Sequence, residues 1–246
     1  MKGVILAGGK GTRMLPATRV INKHMIPILN KPMIMYPLET LKSLGVDDVM
    51  IITGGNHIGG TADFLGDGSE FGMQLNYRIQ KDAGGIAQAL GLAKAFVGSD
   101  QVAVILGDNI YDNTLLPDWQ IGSLDPIKAV LFVQKVPDPE RFGVYSEIDG
   151  KKTIEEKPKE PKSNMAVTGL YIYPPEVFDV ISTLKPSARG ELEITDVNNY
   201  FVEKNKCVIF EVTGFWSDAG TPESLKDVTN WAYEQQYGKK DLTNGK

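Results

Sequence analysis

Short runs rich in Val, Ile and Leu alternate along the chain with stretches whose apolar residues recur every three or four positions. That alternation predicts strands interleaved with helices, the pattern of a parallel sheet covered by helices. A first strand falls at 3–7. After a glycine-rich turn and a polar segment, Pro32 takes a first helical position, and Ile34, Leu38, Leu41 and Leu44 mark a helix that stops at Gly45. A strand at 49–53, a glycine-rich loop, a short helix at 62–65 and a strand at 75–80 follow. An Ala- and Leu-rich helix at 86–96 and a fully buried strand at 102–106 continue the rhythm. Beyond 129 the strands, at 129–134, 144–148, 153–155 and 166–173, crowd together across Pro-rich loops, which predicts antiparallel additions to the sheet. Helices at 176–184 and 192–202, a strand at 208–212 and a closing helix at 222–237 with a polar, frayed tail complete the chain. No flexible linker divides the 246 residues, so one α/β domain over 1–246 is expected.

Composition narrows the chemistry. A net charge of -5 leaves no basic field for nucleic acid or an anionic membrane, so any anion must be held by a local site. The only cysteine, Cys207, rules out an intrachain disulfide or a cysteine-cluster metal site. The only histidines, His24 and His57, lie in no triad-like or zincin-like motif. The apolar run at 4–7 is too short for a signal peptide, and no run approaches the roughly 18 residues of a membrane span, so a cytoplasmic protein is expected.

The most informative stretch is Leu6-Ala7-Gly8-Gly9-Lys10-Gly11-Thr12-Arg13. Glycines directly after a strand let backbone N–H groups approach a phosphate or a base edge, and Arg13 supplies the counter-charge. It fits neither a Walker A loop nor a dinucleotide fingerprint, and an ordinary βα turn reads the same way. Asp108, at the carboxyl end of the strand at 102–106, stands where α/β sheets bind ligands and where a carboxylate can hold a hard cation; a lone Asp there is equally a turn former. Asp218, in Trp216-Ser217-Asp218-Ala219-Gly220-Thr221, carries the same ambiguity. Each of the two aspartates follows an apolar strand, so a sheet with both carboxyl ends on one side would bring them together, at a site suited to Mg²⁺ completed by water and phosphates. The run at 155–162 reads as a solvated loop, and 185–191 as a helix lead-in.

Taken together these stretches resemble the sugar-nucleotide pyrophosphorylases. The glycine-rich loop is followed by Lys23, Met25-Ile26-Pro27-Ile28 and Lys31-Pro32-Met33-Ile34, then Leu65-Gly66-Asp67-Gly68-Ser69, Ala83-Gly84-Gly85-Ile86-Ala87-Gln88-Ala89 and Leu106-Gly107-Asp108-Asn109-Ile110. Asp138-Pro139-Glu140-Arg141-Phe142-Gly143-Val144, Glu155-Glu156-Lys157-Pro158 and Val167-Thr168-Gly169-Leu170-Tyr171 extend the match. The segment from Pro186 to Asp196 is similar to the glucose-1-phosphate thymidylyltransferase branch in particular, and the likeness runs in order to Thr221.

The resemblance implies a Rossmann-like nucleotidyltransferase fold with a mixed, mostly parallel sheet. It implies transfer of a thymidylyl group from dTTP to α-D-glucose 1-phosphate with Mg²⁺ as cofactor, in a cytoplasmic homotetramer making dTDP-sugars of the rhamnose kind for surface polysaccharide. Residues 1–112 would form a nucleotide-binding half and 113–246 a sugar-phosphate-binding half. Gly8, Gly9, Gly11 and Thr12 would line the nucleotide, with Arg13 and Lys23 on the triphosphate and Gln80 and Gly85 at the pyrimidine. Asp108 and Asp218 would ligate Mg²⁺. Asn109, Gly143, Glu156, Val167 and Tyr171 would hold the hexose, and Lys157 and Arg189 its phosphate. Arg13, Lys23, Asp108, Lys157 and Asp218 would be catalytic. His24 stands where many relatives have Gln, Gly84 where several have Asp, and Ser217 where Leu is usual. The chain resembles short members without the C-terminal helices that help build a regulatory nucleotide site. A uridylyltransferase, a nucleotide-sugar-binding regulator without turnover and a glycosyltransferase are the rival assignments; the last would carry an Asp-x-Asp motif, which the chain lacks.

Overall fold

A computed structural model describes residues 1–55, 58–112 and 125–238. The expectations for His57 and for the tail beyond 238 lie outside the described residues, and the boundary expected after 112 abuts a segment outside them. The parallel centre is β1 (Lys2–Ala7), flanked by β4 (Asp48–Gly54) and β6 (Val102–Leu106), with β5 (Gln74–Gln80), which follows α2 (Ile58–Leu65) in the chain, beyond β4. The later strands turn antiparallel as expected. β11 (Met165–Tyr173) runs against β6, β8 (Ala129–Lys135) and β9 (Gly143–Ile148), and β10 (Lys151–Glu156) runs against β9. At the far side β12 (Cys207–Glu211) rejoins β8 in parallel.

Both faces of the sheet are covered, and the central strands alternate accordingly. Val4 and Leu6 of β1, with Val102 and Val104 of β6, pack against α3 (Ile86–Gly91), α5 (Val177–Thr183) and α6 (Ile194–Glu203). Ile5, Ala7, Ala103 and Ile105 point the other way, onto α1 (Met35–Ser43). Burial of both faces makes these strands continuous apolar runs, which is why the sequence shows them clearly. The helix at 222–237 is α7 (Pro222–Tyr237), opened by a Thr221–Ser224 capping box. Among the described residues no helix is long and apolar enough to cross a membrane.

Pro32 does not open a helix: it pairs with Pro27 in a hairpin of β2 (Pro27–Ile28) and β3 (Lys31–Pro32), and α1 begins at Met35. The proline that α1 does accept is Pro37, within the first turn, where a missing N–H leaves no intrahelical bond unmade. The helix expected at 86–96 is two, α3 and α4 (Lys94–Val97). Leu92 and Ala93 donate to Ala89 and Leu90 at 3.1 and 2.9 Å, a tighter turn that breaks the α-helical ladder after Gly91.

Two further short strands are too brief to show a period in the sequence. β7 (Asn109–Tyr111) and β13 (Trp216–Asp218) form a separate antiparallel ribbon in which Asn109 pairs with Asp218. This ribbon, and not a pair of strands ending in the main sheet, joins the two ends of a 110-residue separation.

Candidate active site

The carboxyl ends of β1, β5 and β6 open into two cavities that share a wall. The smaller, about 360 Å³, is lined by Gly8, Gly9, Lys23, His24, Gln80 and Gly85; the larger, about 650 Å³, by Gly143, Glu156, Lys157, Tyr171, Arg189 and Trp216 among others. Arg13, Ile86, Leu106, Asp108 and Glu191 line both. A ligand in one therefore meets a ligand in the other at Arg13 and Asp108.

Gly9 has φ +102, and a Cβ there would meet nothing within 4 Å, so its backbone faces open space that a ligand can enter. Gln80 comes against Gly8, where a Cβ would lie 2.6 Å from its Oε1, and its Nε2 donates to Gln88 at 2.7 Å. Gly85, at φ +100, is pressed onto the 186–193 loop: a Cβ would sit 2.4 Å from the Leu192 carbonyl oxygen. Leu192 also donates to Gly84 at 2.8 Å and accepts from Ala87 at 3.2 Å, which ties the glycine loop to the segment carrying Arg189. Thr12 lines the larger cavity, whereas Gly11 lines neither, and its missing side chain makes room for Thr18 and the stem of Lys23.

The two carboxylates converge. Measured from the position a Cβ would take on Gly220, the Oδ2 atoms of Asp218 and Asp108 are 3.0 and 3.4 Å away and an Arg13 nitrogen 3.2 Å. The Asp108 carboxylate accepts from Lys23 at 2.5 Å and from Asn109 at 3.1 Å, and Ala219 donates to its carbonyl at 2.7 Å. Burial alone raises a carboxyl pKa, but the Lys23 charge and the hydrogen bonds from Lys23 and Asn109 to the carboxylate outweigh it and hold Asp108 well below the usual range. Burial and the neighbouring Asp108 push Asp218 the other way, against the pull of Arg141 and Arg13. Two largely buried carboxylates facing one point supply hard oxygen donors of the kind Mg²⁺ takes, completed by water and phosphates. The described residues include no metal-binding group of three or more His, Cys, Asp or Glu side chains, so the two carboxylates fit a cation held jointly with substrate.

At the far end of the larger cavity, Glu156 accepts from Thr195 at 2.6 Å and faces the nitrogens of Arg189 and Lys157 at 3.4 and 3.5 Å. Arg189 is also gripped by Glu193 at 2.8 and 3.2 Å. Gly143, Val167 and Tyr171 line the same cavity, as does Asn109. The Asn109 side chain is already engaged: its Oδ1 accepts from Gly169 at 2.9 Å and from the Trp216 indole at 2.7 Å, while its amide holds Asp108. That makes Asn109 a residue that positions Asp108.

The nucleotidyl transferase family model matches residues 2–235. The chain belongs to that family. A glucose-1-phosphate thymidylyltransferase of Neisseria meningitidis is 42% identical over 241 residues, covering 96% of this chain and 84% of the relative. The low-salt glycan biosynthesis nucleotidyltransferase of Haloferax volcanii is 36% identical, covering 98% and 68%. Among solved structures, a provisionally named glucose-1-phosphate thymidylyltransferase of Bacillus anthracis in complex with sucrose superposes with a TM-score of 0.89 at 50% identity, over 97% of this chain and 98% of that one.

The larger cavity of this nucleotidyl transferase also carries side chains to which the motifs alone give no role. Arg141, Trp216, Glu191, Glu193 and Thr195 all line the larger cavity. Each lies inside one of the motifs at 138–144, 186–196 and 216–221, so the motif itself is the signal, but nothing local distinguishes a side chain that turns inward from its neighbours.

His24 is not a proton carrier near neutral pH. Burial, then the adjacent Lys23 charge, lower its pKa to about 3, and its Nδ1 lies 2.9 Å from Asn22 Oδ1. Because the unfolded chain takes up a proton near pH 6.5 and the folded chain does not, stability falls as pH drops from about 6.5 towards 3. His24→Gln should flatten that part of the acid limb in urea-unfolding midpoints; an unchanged slope would place the acid sensitivity elsewhere.

Proposed function

We propose that this nucleotidyl transferase joins dTTP to α-D-glucose 1-phosphate, releasing pyrophosphate and dTDP-glucose, with Mg²⁺ as cofactor. The observation that carries the reading is the shared wall: a glycine-lined cavity and a cavity bearing Glu156, Lys157 and Arg189 meet at Arg13 and Asp108. In this reading the smaller cavity takes the nucleotide and the larger the sugar phosphate. Residues of 1–112 supply most of the first and residues of 113–246 most of the second, with Glu191 crossing over to the nucleotide side.

A phosphate oxygen of glucose 1-phosphate attacks the α-phosphorus of dTTP, and the bond to the β-phosphate bridging oxygen breaks in line with it. The nucleophile is already an anion, so no general base and no covalent intermediate is required, which suits a site whose one described histidine is locked neutral. Arg13 and Lys23 would hold the triphosphate, Lys157 and Arg189 the sugar phosphate, and Glu156 the hexose hydroxyls.

Charge balance supports the cofactor. Arg13, Lys23, Arg141, Lys157 and Arg189 are matched in the two cavities by Asp108, Asp218, Glu156, Glu191 and Glu193. Two phosphorylated substrates thus enter a cleft with no surplus of cations. Asp108 and Asp218 would hold Mg²⁺, which neutralises charge building on the α-phosphate and the leaving pyrophosphate.

Uridylyl transfer is the second reading, favoured by the fold's likeness to a UDP-glucose pyrophosphorylase in complex with UDP-glucose, with a TM-score of 0.83 at 26% identity. Uracil and thymine differ by one methyl, worth about 1 kcal/mol or slightly more in a pocket. Pyrophosphate release across a matrix of nucleoside triphosphates and hexose 1-phosphates separates the two. The highest kcat/KM is expected for dTTP with glucose 1-phosphate, and UTP should be weaker. A preference for ATP or GTP would sink both readings, and no release with any pair would leave a binding protein.

A further inference from the structure

The segment leading into β9 holds one of the two converging carboxylates, Asp218. Arg141 ends a short 3₁₀ turn, Pro139–Arg141, and its guanidinium lines the larger cavity. Its Nη2 donates to both oxygens of Asp218 at 3.0 and 3.2 Å, and its Nη1 to Asp138 at 2.7 Å. The guanidinium lies 5.0 Å from the centroid of the Phe142 ring, which packs against Trp216 at 5.3 Å, two residues before Asp218. Arg141 therefore stands to Asp218 as Lys23 stands to Asp108. Each carboxylate expected to share a cation carries its own counter-ion.

We propose that Arg141 is a positioning residue, the resident counter-ion of Asp218, which withholds that carboxylate from free divalent cations until a nucleotide brings phosphate ligands of its own. The inference rests on the metal reading given above. A hard cation offered only two carboxylates binds weakly until phosphates complete its shell. A guanidinium making two charge-assisted bonds to one of those carboxylates competes for the same lone pairs and repels the cation as well. Asp138 keeps hold of Nη1, so Arg141 need not leave the site when Asp218 turns to the metal; only the Nη2 bonds are exchanged. The planar fork is what lets one side chain grip Asp138 and Asp218 together, and a lysine ammonium reproduces only the charge.

The test uses Mn²⁺ in place of Mg²⁺ and needs no turnover. Free Mn²⁺ is followed by its electron paramagnetic resonance signal during titration into the intact wild-type chain, R141Q and R141K, each alone and with α,β-methylene dTTP, and the Mn²⁺ taken up by the analogue in a protein-free titration is subtracted. Without nucleotide, R141Q should bind Mn²⁺ about fivefold more tightly than wild type, the scale a half-exposed charge pair supports. The gain that nucleotide confers should shrink by a similar factor, with R141K in between. Adding D218N should erase the difference between R141Q and wild type. If wild type binds Mn²⁺ with the analogue and R141Q binds it no more tightly than wild type without the analogue, the counter-ion role is overturned while the metal reading stands. If wild type with the analogue binds no Mn²⁺, the metal reading fails and the proposal with it.

Discussion

Replacing Asp108 or Asp218 by Asn should each lower kcat by about a hundredfold or more, on the scale of removing one group that stabilises transition-state charge. Asn keeps the shape of the side chain and removes the negative charge that would hold a cation at the point where both carboxylates converge. The two variants should differ in stability. Asp108→Asn leaves the largely buried Lys23 without its ion-pair partner, a loss of about 1–3 kcal/mol or more. In Asp218→Asn, Arg141 keeps its bond to Asp138, so the destabilisation should be smaller. Circular dichroism and thermal unfolding separate a folded, inactive chain from a collapsed one. Wild-type rates from the double variant, or full turnover in excess EDTA, would eliminate the metal reading.

Arg189→Ala should chiefly raise KM for glucose 1-phosphate, by about tenfold, in keeping with the loss of a charge-assisted bond at a half-exposed position. The effect is moderated because Arg189 already pairs with Glu193 and Glu156, and a bound phosphate replaces part of those contacts. Arg189 lines only the larger cavity, whereas Arg13 lines both. Isothermal titration with dTTP alone should therefore find nearly normal binding in Arg189→Ala and weakened binding in Arg13→Ala. A large loss of dTTP affinity in the Arg189 variant would refute the division between the cavities.

The sheet was legible because β1, β4 and β6 are buried on both faces and so appear as unbroken apolar runs. The hairpin at Pro27–Pro32 was not, since two-residue strands have no period to detect and Pro32 mimics a helix start. The same limit hid the ribbon of β7 and β13. Asp108 and Asp218 could be named from motifs, but the contact that joins them is made by three-residue strands and by Asn109 bonding to Trp216 and Gly169. Loop side chains such as Arg141 turn inward because of what they meet across the fold. That partner, Asp218, lies 77 residues away.

The most direct test of a single displacement at the meeting point of the two cavities is stereochemical. The chain is supplied with Mg²⁺, glucose 1-phosphate and one diastereomer of dTTP carrying sulfur on the α-phosphate, and the configuration at phosphorus in the sugar nucleotide is read by ³¹P NMR. Direct in-line attack inverts that configuration, and inversion is the expected result. Retention would require a covalent nucleotidyl intermediate on the protein and would contradict the proposed chemistry.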